Sequence, residues 1–405
     1  MNFVIINSVC KESSTGSIAY ELYKFLKSNG HNAKVCFGRW SSYDNADLMK
    51  IDSDAEINFH ALMTRITGLQ GFFSNSATHK LIKLIQEFNT DVVILLNLHG
   101  YYLNEKKLFG FLKQKKIKTL YIMPDEYPYL GKCCYSNDCD KYKSECSNCE
   151  YVNDYPKSLF FDQSKKIFKI KEESYLDFHN LTFISPEYNI LKAKESTLLK
   201  DKNLRKVDWG IDIENTYVLK DRFALKKKYG LPLDKKIVLL VGSFLSNRKA
   251  INRFYYECVL DEKLNNLFFI NIGYDGDLDE IPKNFLTIGY VENQEKLAEY
   301  YNCADVYLLP SASDTMPLSC LISLSCGTPI CCFKASGLPY IADDICGYYV
   351  NSDSMKNFIE TLNEIPKKDE EIIKYCRKYA EARYDLNKFN NNILNIALDK
   401  GDLSW

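Results

Sequence analysis

The 405-residue chain carries almost no net charge: 52 Lys and Arg stand against 53 Asp and Glu, leaving −1. A dedicated nucleic-acid binder has a clear basic excess, so that class is set aside, although a local basic patch is not. No run of about 18 apolar residues occurs, and no helix is expected to span a bilayer. A charged leader followed by a long apolar segment is missing too, because Met1 leads straight into the apolar stretch Phe3–Val9. The expectation is a cytosolic protein whose 15 cysteines are mostly reduced. Short-period repeats and low-complexity tracts are absent. With 46% hydrophobic, 14% aromatic and 26% charged residues, the chain is globular; a disordered regulator, a coiled coil and a disulfide scaffold all fit poorly. At about 150 residues per domain, this length predicts two domains or three.

What is present is a strand–helix alternation that runs twice. Strands are expected at Phe3–Val9, Asn32–Phe37, Asp91–Leu98, Leu120–Met123 and Leu181–Ser185, with helices at Ala77–Phe88 and Glu105–Gln114. The run at Asp91–Leu98 barely alternates, as expected for a parallel strand covered on both faces. The pattern restarts at Lys235–Ser243 and continues with strands at Leu267–Ile272, Phe285–Ile288, Asp305–Leu309 and Thr328–Phe333. Helices are expected at about Lys249–Leu260, Asn293–Asn302 and Pro317–Ser325, and the charged stretch Asp369–Ile396 is helical in pattern. The predicted class is α/β, with two Rossmann-like domains of parallel strands facing a cleft. The expected division is 1–208, 209–380 and a C-terminal helix over 381–405 that returns to the first domain.

Two stretches of the second half carry phosphate chemistry. In LLPSASDTMPLSCLISLSCGTP (308–329) a strand ends, a polar loop follows, and Pro317 sits where a helix starts. A helix start offers free N–H groups and a positive dipole end, and Ser319 adds a hydroxyl. The plain alternative is an ordinary strand–loop–helix. The second stretch, Gly242-Ser-Phe-Leu-Ser-Asn-Arg-Lys, places Arg248 and Lys249 in a strand–helix loop. Cations are not what a helix start prefers, which favours a phosphate-binding role over a solvated basic pair.

At these residues the chain resembles the retaining glycosyltransferases of the two-Rossmann GT-B type, in particular the family 4-like enzymes of colanic-acid and exopolysaccharide synthesis. The motifs that carry the resemblance are INSV…STGSIAYEL, NLHGYYLN (97–104), the cysteine-bearing insertion ending in DYPKS, SNRKA (246–250) and PSASDTMP…SCGTP (310–329). The resemblance implies transfer of a sugar, with retention, from a nucleotide diphosphate-sugar to a glycan or lipid-linked glycan in bacterial surface polysaccharide synthesis. It implies that Ser243, Arg248, Lys249, Tyr290, Val291, Met316, Pro317, Leu318 and Ser319 hold the donor. It puts Asp314 at the donor sugar and Gly16 and Ser17 in the cleft. No cofactor is implied for catalysis. Four positions depart from the family pattern, the first being Asp314, a shorter carboxylate where a glutamate is usual. Pro124 stands where a histidine is usual, Ile322 where a ribose-binding glutamate is usual, and Ala250 where a glycine is usual. A GT-B-shaped partner or glycan-binding subunit without turnover is therefore the competing expectation.

The remaining candidates come from the residues themselves. Asp125 and Glu126 follow a strand end, where a carboxylate orients an acceptor hydroxyl or is plain loop acidity. His99, at another strand end, is either a cleft residue or a structural histidine. In the insertion at about 131–156, Cys133, Cys139, Cys146 and Cys149 have the spacing of a closed structural zinc site, the alternative being free thiols. The basic stretch Ser164–Lys171 reads as a contact to anionic lipid at the inner membrane face or as a solvated helix face.

Overall fold

The computed structural model describes residues 1–40, 43–244, 249–259, 264, 266–274, 276, 282–351 and 354–399. The chain divides into two compact units. One holds Met1–Val207 together with the segment from Asn390 onward, the other Asp208–Phe389.

The first unit is built on seven parallel strands: β1 (Asn2–Asn7), β2 (Asn32–Phe37), β3 (Leu48–Lys50), β4 (Val92–Leu95), β5 (Lys118–Ile122), β6 (Leu181–Ser185) and β7 (Asn203–Lys206). Their order is β3-β2-β1-β4-β5-β6-β7. All four residues of β4 are fully buried, which explains its unbroken apolar run: helices cover both faces of such a sheet. Direction of growth reverses between β1 and β4, and ligands of open α/β sheets bind beyond the strand ends at such a point. Asn7 ties this point together. Its amide donates to the Val9 carbonyl at 2.8 Å, and its Oδ1 accepts the Asn97 N–H at 3.0 Å.

The second unit has six parallel strands: β8 (Lys236–Val241), β9 (Leu267–Ile272), β10 (Phe285–Ile288), β11 (Val306–Leu309), β12 (Ile330–Phe333) and β13 (Gly347–Val350). The order β10-β9-β8-β11-β12-β13 is that of a dinucleotide-binding sheet, with the reversal between β8 and β11. Each unit has its own apolar core, one around Val4, Val93 and Phe183, the other around Val238, Phe269 and Phe358.

Three expectations change. The stretch expected as one helix over 369–396 is two, Glu370–Arg383 and Leu386–Ala397. The break is imposed by the Ile211 backbone, which donates to the Tyr384 carbonyl at 2.9 Å and accepts from Leu386 N–H at 3.1 Å. The helix after β8 begins at Ile251 and passes into a π-helical turn at Tyr255–Val259. The basic stretch from Ser164 is helical over Ser164–Tyr175, but not all of its lysines face solvent. Lys171 is buried, donating to the Tyr127 and Leu130 carbonyls, while Lys165 and Lys169 pair with Glu145. Among the described residues no helix is long and apolar enough to cross a membrane.

Candidate functional site

The candidate site of the second unit grows from the ends of β8 and β11. After Val241 the chain turns at Gly242 with φ 150°. A Cβ there would lie 2.5 Å from Cδ of Lys249 and 2.9 Å from its Nζ. Glycine is needed at 242 because a side chain is strained at that φ, and the lysine lies across the space it leaves open. The ammonium is held at the strand end by the Val241 carbonyl, 2.8 Å away. At the end of β9, Gly273 has φ 109°, and a Cβ there would come within 3.0 Å of the Gly242 backbone. The two strand ends therefore approach through a pair of glycines. Ser243 is exposed beside them, and Arg248 lies outside the described residues. Past β10, Tyr290 projects with 78% of its surface exposed, and Val291 is half-buried.

From β11 the loop through Asp314 and Met316, both buried, reaches the helix Leu318–Ser325. Pro317 precedes that helix and supplies no capping oxygen, and Pro317, Leu318 and Ser319 are half-buried. The loop is clamped from behind by Gly337, whose N–H donates to the Asp314 carbonyl at 2.9 Å. A Cβ at Gly337 would sit 1.8 Å from the Thr315 carbonyl oxygen, so no other residue fits. Cys320 is buried in the first turn of that helix. Burial pushes its thiol up, as do Cys332 at 4.0 Å and the Asp314 carboxylate, while the Lys249 ammonium pulls it down. Lys249 and Asp314 thus both act on a group at the helix start. The helix start, with no side-chain cap, offers free N–H groups and a positive dipole end, which attract a phosphate group. Ile322, one turn on, is buried and apolar, so the helix presents no carboxylate at that position.

In the first unit, His99 follows β4 and Asp125 follows β5. The Nε2 of His99 lies 2.6 Å from Oδ2 of Asp125, and both are buried. The other aspartate oxygen accepts the Tyr127 N–H at 3.0 Å, and Nδ1 of His99 meets the Tyr155 hydroxyl at 3.3 Å. Asp125 therefore acts through His99, fixing its ring. Burial opposes charge on the imidazole, but Cys134 and Asp125 outweigh it and hold its pKa well above the ordinary value. Cys134 completes this group: the ligand atoms of His99, Asp125 and Cys134 lie within 4.8 Å of one another. Glu126 is used differently. Its carboxylate accepts the Ser136 N–H at 2.8 Å and is 1% exposed, anchoring the cysteine-rich segment. Gly16 is buried in the helix Ser13–Ser28, where a Cβ would press on the Cys10 and Lys11 backbone at 3.2 Å, with Ser17 half-buried beside it.

Cys133, Cys139, Cys146 and Cys149 border one pocket. The sulfurs of Cys133 and Cys149 are 3.9 Å apart, but no three of the four meet within 4.8 Å. The expected closed zinc ligand set is thus not assembled as it stands. Sequence spacing could not find Gly337, Asn7 or Tyr155, since each acts through a tertiary contact. The Gly242–Lys249 stacking has a signal, a glycine at a strand end seven residues before a lysine.

Residues 221–383 match the family Glycosyl transferases group 1. The chain is 24% identical over 242 residues to a putative colanic acid biosynthesis glycosyl transferase of Escherichia coli K12, an alignment covering 58% of this chain and 57% of that protein. Sucrose-phosphate synthase of Thermosynechococcus elongatus superposes with a TM-score of 0.70 at 14% identity, over 98% of both chains. The Anabaena protein HepE, solved with UDP and glucose, gives 0.66 at 12% identity, over 98% of this chain and 100% of its own. Two parallel sheets of this order, each reversing at its first strand, give the chain the GT-B glycosyltransferase fold, and its segment 221–383 is similar to the group 1 glycosyl transferases.

Proposed function

We propose that the protein transfers a sugar, with retention, from a nucleotide diphosphate-sugar to a glycan or lipid-linked glycan in bacterial surface polysaccharide synthesis. The observation that carries this reading is Lys249 laid across Gly242, with Val241 as its carbonyl anchor, and an uncapped helix start at Pro317–Ser319 in the same unit. The family match over 221–383, the colanic acid relative and the UDP-bound state of HepE support it.

In this reading the diphosphate leaves as negative charge grows on its oxygens. Lys249, Arg248 and the helix N–H groups stabilise that charge. Asp314 is assigned to the donor sugar, and Tyr290 and Val291 to the base. The acceptor is assigned to the first unit, where Asp125 orients His99. No protein nucleophile is assigned: the acceptor attacks the face the diphosphate leaves, and the departing phosphate takes the proton. The reaction so drawn requires no cofactor.

The reading is tested by incubating the full chain with UDP-, GDP- and ADP-glucose. Release of one nucleoside diphosphate, and an α-linked product from the α-linked donor by NMR, is the expected result. Binding without any release favours the second reading, a GT-B-shaped glycan-binding or partner subunit. Pro124 and the buried Ile322 are the observations on its side.

A further inference from the structure

The segment from Leu130 to Tyr155 has little to hold it together. Its regular structure is a single 3-10 turn at Lys141–Lys143, and few of its side chains enter the core. Yet its backbone is ordered by specific bonds. Cys139 N–H donates to the Ser136 carbonyl at 2.9 Å, and Cys149 N–H to Asp162 Oδ2 at 2.7 Å. Lys132, 1% exposed, donates to the carbonyls of Tyr151, Val152 and Asp154.

The cysteines of the chain fall into two groups. Eleven are buried, as free cysteines behaving like small apolar residues usually are. The other four, Cys133, Cys139, Cys146 and Cys149, are half-buried, and all four border one pocket. Cys133 and Cys146 pack against the apolar core of the first unit, but that does not account for Cys139 and Cys149 on the same pocket.

We propose that Cys133, Cys139, Cys146 and Cys149 bind one Zn²⁺ as a structural ion that fastens this segment to the first unit. Four thiols lose four protons and form four Zn–S bonds; no electron changes hands. Three observations carry the assignment. A tetrahedral zinc with arms of about 2.3 Å has sulfurs about 3.8 Å apart, and Cys133 and Cys149 are already at 3.9 Å. The Cys146-Ser-Asn-Cys149 segment turns at Asn148, in the left-handed region at φ 46°, and has the two-residue spacing of a zinc knuckle. The Cys146 sulfur accepts the Gly131 N–H at 3.3 Å, and a Cβ on Gly131 would come 2.8 Å from the Cys146 Cβ. Such an N–H donor stabilises a thiolate ligand. Cys139 and Cys146 must turn toward the Cys133–Cys149 pair on binding. The neighbouring group of His99, Asp125 and Cys134 is more compact, but His99 and Asp125 already satisfy one another at 2.6 Å, and a metal there would have to break that bond.

The test uses the full chain, purified under reducing conditions from zinc-supplemented cells, with metal measured by plasma mass spectrometry. About one zinc per chain is expected, falling at least tenfold in the Cys139→Ser and Cys149→Ser variants and unchanged in Cys134→Ser. If a ligand variant does not fold, the wild type decides: cobalt added to chelator-stripped protein should give the intense visible bands of a tetrahedral thiolate site. Zinc-free protein that gives no such bands overturns the proposal. So does zinc that survives Cys149→Ser but is lost with Cys134→Ser, which would move the ion to the His99 group. The outcome is independent of nucleotide binding.

Discussion

At the scale of single residues, the backbone explains substitutions that a sequence pattern leaves bare. Ala250 occupies the position where the family uses glycine, and its φ is 49° with ψ 27°. That left-handed conformation costs a residue with a Cβ about 1 kcal/mol. Ala250→Gly should therefore raise unfolding stability by up to about 1 kcal/mol in urea titrations; a clear loss would count against the described turn. His60 gives a prediction in pH. Burial pulls its pKa down from 6.5 to about 3, and its Nδ1 lies 2.9 Å from the Ser74 hydroxyl. The unfolded chain takes up the proton first, so its contribution is full above pH 6.5 and lost as pH falls. The loss is about 1.4 kcal/mol at pH 5.5. Asp52, pushed up to about 7 by burial, works in the opposite sense over part of that range. The readout is thus a difference: the stability gap between wild type and His60→Asn should narrow by about 1.4 kcal/mol between pH 7.5 and 5.5. A constant gap would show that His60 is not held neutral.

At the scale of elements, legibility followed burial. The strands over Asn32–Phe37, Leu267–Ile272 and Phe285–Ile288 stand where their apolar runs put them. Three edge or near-edge strands escaped notice: β3, β7 and β13. β7 reads Asn-Leu-Arg-Lys and has no buried residue, so it offers no pattern. The helix Asp54–Thr67 also escaped, because Phe59, Leu62 and Ile66 are exposed and spread its apolar residues round the axis. Buried charge is equally silent in sequence. Asp305, just before β11, is fully buried. Its Oδ2 accepts from Lys226 Nζ at 3.1 Å and from Ile237 N–H at 2.9 Å, and Arg222 lies 3.6 Å from Oδ1. Removing one member of such a group strands the others, at a cost of about 3–5 kcal/mol. Asp305→Ala should lower the second unit's stability by that amount in denaturant; a change below 1 kcal/mol would contradict the pairing.

At the scale of the whole molecule, two parallel sheets and their reversal points set where chemistry can sit, and the doubled strand–helix rhythm was enough to read that from the sequence. The groups at the strand ends were legible where a motif names them, as with Lys249, Asp314 and Pro317. They were hidden where a tertiary contact makes them, as with Gly337 against Thr315 and Cys134 against His99. Asp125 shows the intermediate case: the strand end was readable, but its service to His99 needed the fold. The central claim is that a nucleoside diphosphate binds at the end of β8, gripped by Lys249. It is tested most directly by thermal unfolding of wild type and Lys249→Ala with UDP, GDP and ADP. A ligand at a hundred times its Kd adds about 2.7 kcal/mol, so one of the three should raise the wild-type Tm by several degrees and leave Lys249→Ala unmoved. An equal rise in both proteins, or no rise with any nucleotide, would contradict it.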